Sequence, residues 1–181
     1  MSRGSATRGE FEGLEWLLRL CSSLGGRLSV TDLYFRCEGL GFDRLPRFLG
    51  ALGSAPAGAT SRFIAFSGRG GNVYFFGEVR RSGERLMGWL HVEYSYDVDE
   101  DVVVVRGGRG EVRATVTITL RDSVGGVVEG DSLGAVAERL LRMAEEAKTM
   151  VERMEAERRR LEEEAKKLAG CVAGCRRAVM G

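Results

Sequence analysis

"TITLRDSVGGVVEGDSLGAVAERLLRM" (residues 117–143) passes from an alternating strand, through a glycine-containing turn, into a helix. The strand begins upstream, in "EVRATVTITLR". There Val112, Ala114, Val116, Ile118 and Leu120 share one side, and Arg113, Thr115, Thr117, Thr119 and Arg121 share the other. A period of two with one apolar and one polar side is the pattern of an antiparallel sheet that buries one face. Downstream, Asp131 or Ser132 can cap a helix whose strong helix formers continue to Gly170.

Working back toward the N-terminus, further strands are separated by turn residues. "SRFIAF" and "NVYFFGEVR" flank "SGRGG", "RLMGWLHVEYSYDV" reads as a long strand, and "EDVVVVR" follows an acidic turn at "DVDE". Before them stand a strand from Leu28 to Cys37 and a short helix capped by Asp43, with Pro46 in its first turn. A helix with Phe11, Leu14, Leu17, Leu18 and Cys21 at helical spacing opens the chain and stops at Gly25-Gly26. The expected fold is α+β: an antiparallel sheet of about six strands, a long C-terminal helix packed across it, and an N-terminal helix. Domain boundaries are expected at 1–26, 27–155 and 156–181.

The C-terminal helix changes character along its length. Up to Met154, Leu133, Val136, Ala137, Leu140, Leu141, Met143, Ala144, Ala147, Met150 and Val151 form a wide apolar stripe suited to docking on a sheet. Beyond it a single line persists through Leu161, Leu168 and Cys175, flanked by pairs such as Glu155/Arg159 and Glu162/Lys166. A narrow heptad seam of this kind points to a partner helix, so a homodimer interface is expected at Leu161, Leu168, Cys171 and Cys175.

Composition excludes several functions. The 181 residues carry 44% hydrophobic residues and a formal net charge of +1, which disfavours nucleic acid and anionic membranes as partners. Among the cations are 24 arginines and only three lysines; glutamine is absent and Asn72 is the one asparagine. A hyperthermophile would show this scarcity of thermolabile amides, and a GC-rich genome would also favour arginine, glycine, alanine and valine. No run of about 18 apolar residues is present and the N-terminus lacks a signal-type core, so a cytoplasmic location is expected. Cys21, Cys37, Cys171 and Cys175 would be thiols in an ordinary cytosol, with the hyperthermophile cytosol as the exception.

Motif by motif, structural explanations prevail. "SGRGGN" lacks the following helix and the Gly-Lys-Ser/Thr of a phosphate loop. In "DVDED", Val102 stands where a calcium loop needs glycine. Cys171 and Cys175 have neither the spacing nor the histidines of a zinc site. "ERRRLEEEAKK" neutralises its own arginines and interleaves no aromatic residue. His91 is the only histidine, and no nucleophile elbow or acid–base pair accompanies it. No catalytic residue, metal or cofactor is therefore assigned.

"FDRLPRFLGAL" (42–52) and "GEVRATVTITLRDSVGG" (110–126) resemble the helical crossing after the first strand and the last strand of helix-grip proteins. These are the START-like lipid-transfer domains, the polyketide cyclases and a group of carbon monoxide dehydrogenase accessory proteins. The resemblance covers residues 27–155; the helix before 27 and the extension after 155 depart from it. It implies a non-catalytic module holding a small apolar or amphipathic ligand between the last helix and the sheet. Met87, Trp89 and His91 share a strand side with mixed polarity, and Met143 and Met150 offer adaptable thioethers; these five are the expected ligand-binding residues. The alternative is an assembly protein that oligomerises through its C-terminal helix.

Overall fold

A computed structural model describes the backbone of residues 7–107 and 110–180, and the side chains of 7–99, 110, 113 and 115–170. In chain order the longer elements are α1 (Arg8–Ser23), β1 (Arg27–Val30), β2 (Tyr34–Gly41), α2 (Leu45–Leu52), β3 (Phe63–Gly70), β4 (Val73–Ser82), β5 (Arg85–Gly107), β6 (Gly110–Gly130) and α3 (Leu133–Met180). Six strands form one sheet in the order β1-β2-β3-β4-β5-β6. The chain divides into two compact units. The first holds Met1–Glu93 with Ser123–Met150, and the second Tyr94–Asp122 with Val151–Gly181. This division cuts through β5, β6 and α3, whereas the sequence suggested boundaries at 26 and 155.

Four local expectations are corrected. The strand expected from Leu28 to Cys37 is a hairpin, because Thr31 folds the chain. Its Oγ1 accepts from the Leu33 and Tyr34 amides and its own N–H donates to the Tyr34 carbonyl. Asp43 lies inside a 3-10 turn (Phe42–Arg44), and no side-chain hydrogen bond caps α2. "DVDE" is no turn: Asp97 and Asp99 sit within β5 and accept from Thr119 and Thr117. "VGG" is strand as well, since β6 runs on to Gly130. Pairing also departs from a pure meander. β2 and β3 are parallel, with α2 in the crossover between them, while β1/β2 and β3/β4 are antiparallel.

In the first unit, the helices share one face of the sheet. Cys21 of α1 forms a disulfide with Cys37 of β2, a pairing that the sequence left open. Closing a loop of this length contributes on the order of 3 kcal/mol in the chain-entropy account. Phe48 of α2 packs on Phe66 of β3, with ring centroids 5.3 Å apart. The helix α3 starts with the expected cap, Ser132 Oγ accepting from the Ala135 amide at 3.1 Å. Its stripe Val136, Ala137, Leu140, Ala144, Ala147 and Met150 is buried. Opposite lie Leu86, Leu90 and Val92, also buried. Between them Gly88 allows a close approach. A β-carbon there would stand 2.7 Å from Val136 Cγ1 and 3.1 Å from Leu140 Cδ1.

In the second unit, β5 and β6 are neighbours that run antiparallel, with Thr117 bonded to Asp99 and Thr119 to Asp97. The helix segment from Val151 makes several polar contacts in this unit, and Ala165 and Ile118 are buried there. The buried Tyr94 donates to Glu155 (3.1 Å), Tyr96 donates to Glu162 (3.0 Å), and Arg153 pairs with Asp122. Arg158 lies over the Tyr96 ring and bridges Glu155 and Glu162. Its guanidinium is held charged beyond the ordinary arginine range, first by the Glu155 hydrogen bond.

Candidate functional site

Strand alternation sorts the first unit's side chains into two sets. On β4, Val73, Phe75 and Val79 are buried while Tyr74, Phe76 and Arg80 are exposed. On β5, Leu90 and Val92 are buried, and Met87, Trp89, His91 and Glu93 are half-buried on the other side. Side-chain contacts confirm that these outward sets meet. Phe76 packs on Trp89 (5.4 Å between centroids) and on His91 (5.2 Å), Tyr74 donates to Glu93, and Arg80 contacts the Met87 sulfur. His91 Nε2 lies 3.3 Å from Glu93 Oε2. A β-carbon on Gly125 would come within 3.2 Å of His91 Nδ1, so the imidazole rests over β6.

The five expected ligand residues therefore do not converge. Met87, Trp89 and His91 occupy the face turned away from α3. Met150 is buried among the helix residues, and Met143 lies near Gly126 on the helix side, its sulfur 3.5 Å from where a β-carbon would stand. The physical reason is the strand period: Gly88 and Leu90 point toward α3, so their neighbours must point away. On the opposite side of the sheet, α3 already contacts the floor at Gly88.

What the outward face offers is a trough along β3, where Ala65 and Ser67 are small. Facing strands raise its walls: Tyr34, Arg36 and Glu38 from β2, and Phe76, Glu78 and Trp89 from β4 and β5. The depression they line holds about 270 Å³. A second, of about 500 Å³, shares Ser67 and Phe76 and reaches Gly39, Gly41, Gly68, Arg69 and Tyr74. The bulge between Cys37 and Leu40, with Gly39 at φ +78°, shapes that end. Phe76 is 41% exposed, a high value for a large aromatic side chain at mid-strand. Sequence reasoning singled out Trp89, which lines the smaller depression, and His91, which lines neither, and did not single out Phe76, Glu78 and Arg36. The signal was available in "VYFFGEVR", where Phe75 and Phe76 must face opposite ways.

The expected interface residues are divided as well. Leu161 is half-buried and Leu168 is 54% exposed, while the side chains of Cys171 and Cys175 lie outside the described residues. Among the described residues, this helix segment bonds the tyrosine hydroxyls of β5 through Glu155 and Glu162, with Arg158 between them, and Ala165 beside the leucine line is buried.

Among the described residues, no group of three or more His, Cys, Asp or Glu side chains could hold a metal ion, and no helix is long and apolar enough to cross a membrane. The chain matches no family model, no curated protein and no solved structure.

Proposed function

We propose that this protein is a non-catalytic binding module of helix-grip-like architecture whose ligand lies on the open face of the first unit's sheet. The observation that carries it is the trough itself. Trp89, Phe76 and Tyr34 flank a floor of Ala65 and Ser67, with Arg36, Glu38 and Glu78 at hand for orientation. An apolar surface with a few placed polar groups is the usual make-up of a small-molecule site. The two adjoining depressions together are large enough for a small amphipathic molecule. The close approach of α3 at Gly88 favours this face over the helix–sheet boundary.

Two measurements test the reading. Native mass spectrometry beside a denatured control should show added mass that is lost on denaturation. In a Trp16→Phe background, the fluorescence of Trp89 should shift across a panel of fatty acids and other amphiphiles. A bare protein mass together with an unresponsive Trp89 counts against the proposal.

A second reading, self-association through α3, draws on the exposed Leu168. It predicts that Leu168→Glu lowers the solution mass; an unchanged mass removes it.

A further inference from the structure

We infer that the smaller depression on the open face takes an organic cation, an alkylammonium or quaternary ammonium group. The inference rests on the proposed binding face and assigns its ligand chemistry. Three features point the same way. Phe76 and Trp89 stand nearly perpendicular, at 78°, so their rings form two walls of a corner, and both line the depression. Ring faces carry negative potential and attract cations within about 6 Å of the centroid.

Charge is the second feature. Glu38 and Glu78 supply two carboxylates to this depression and Arg36 its one cation. Arg36 is already engaged, 3.6 Å from Glu38 and with its guanidinium carbon 5.4 Å from the centroid of the Tyr34 ring. Glu78, half-buried beside Trp89, has no ion-pair or hydrogen-bond partner among the described residues. One carboxylate beside the aromatic corner is left uncompensated. A phosphate-bearing ligand would meet it as a like charge, whereas a cation would neutralise it.

The third feature is that the face already demonstrates the chemistry in one instance. Arg36 over Tyr34 is a cation seated on an aromatic ring of the same depression. The Phe76–Trp89 corner repeats that combination of ring and carboxylate with the cation position left to a ligand. Because the floor residues Ala65 and Ser67 are small, a compact head group can descend between the walls without displacing them.

The experiment compares choline with its neutral isostere 3,3-dimethylbutan-1-ol on the full-length protein, following the indole N–H resonance of Trp89. Choline should perturb that resonance with an affinity about tenfold above the alcohol's. Glu78→Gln should bring choline down to the level of the alcohol measured on the same variant. Equal or tighter binding of the alcohol overturns the cation assignment and leaves the binding face standing. No response to choline also overturns it; if the amphiphile panel still shifts Trp89, the proposed function survives. Silence of Trp89 toward all of these ligands, together with a bare protein mass, removes both.

Discussion

The same three elements, β5, β6 and α3, make two unlike contacts in the two units. In the first, the meeting surface is aliphatic and close: Val136 and Leu140 descend onto Gly88, with Leu86, Leu90 and Val92 buried around them. In the second, hydroxyls meet carboxylates as well, Tyr94 to Glu155 and Tyr96 to Glu162, with Arg158 between the two acids. Apolar burial scales with area and has no preferred direction, so a dry surface is strong and indifferent to pH. Tyrosine–carboxylate bonds set direction, yet each adds little net stability because water served the same groups before folding. The helix is thus anchored by shape in one unit and aligned by polar geometry in the other.

The largest test of that contrast is Leu140→Ala. It removes a fully buried side chain from the dry contact and should cost about 2–5 kcal/mol in denaturant unfolding. A loss under about 1 kcal/mol would mean that this surface is not the anchor. Gly88→Val fills the space that Val136 and Leu140 occupy, so overpacking of about 1–3 kcal/mol is expected, read as a lowered unfolding midpoint. In the second unit Tyr94→Phe should cost about 1 kcal/mol, since one hydrogen bond to Glu155 is lost while the buried ring remains. Hydrogen exchange in the segment after Val151 would show whether that loss is confined there.

The smallest effect separates the units by pH. Tyr96 is held above the ordinary tyrosine value near 10, foremost by its hydrogen bond to Glu162, then by burial and by that carboxylate's charge, with Arg158 pulling the other way. Its neutral form donates to Glu162, so this contribution is fully present below the unfolded value. It is lost as pH rises through the higher folded value. Tyrosinate absorbance should show a late-ionising component that returns toward the ordinary value in Glu162→Gln. In the first unit Gly88, Val136 and Leu140 carry no titratable side chain, so that contact should not respond.

Much of this was legible in the residues. The alternation of residues 112–121 predicted one exposed and one apolar side, and Arg113, Thr115, Thr117, Thr119 and Arg121 are all exposed. The wide stripe through Val136, Leu140 and Ala144 predicted the docked part of α3, and of the two caps expected at its start, Asp131 or Ser132, the structure uses Ser132. These patterns are local: a strand or helix period and a cap are decided by near neighbours in the chain. Turn chemistry misled at "DVDE" and "VGG". A long hairpin overrides local preference when cross-strand partners such as Thr117 and Thr119 satisfy the carboxylates.

What the amino-acid sequence determined by itself was the set of elements, the side chains that share a strand side, and the stretch of helix able to dock. It grouped Met87, Trp89 and His91 correctly. It could not say whether that group or Leu86, Leu90 and Val92 would receive α3, because alternation defines two faces and both carry apolar residues. Tertiary packing decided it: the helix needs a flat, close surface, and only the side with Gly88 lets Val136 and Leu140 reach the backbone. The same choice left Trp89 and Phe76 facing outward. It was also long-range contact that made β2 and β3 parallel and joined Cys21 to Cys37. Both depend on where α1 and α2 come to rest, and no short window of sequence carries that information.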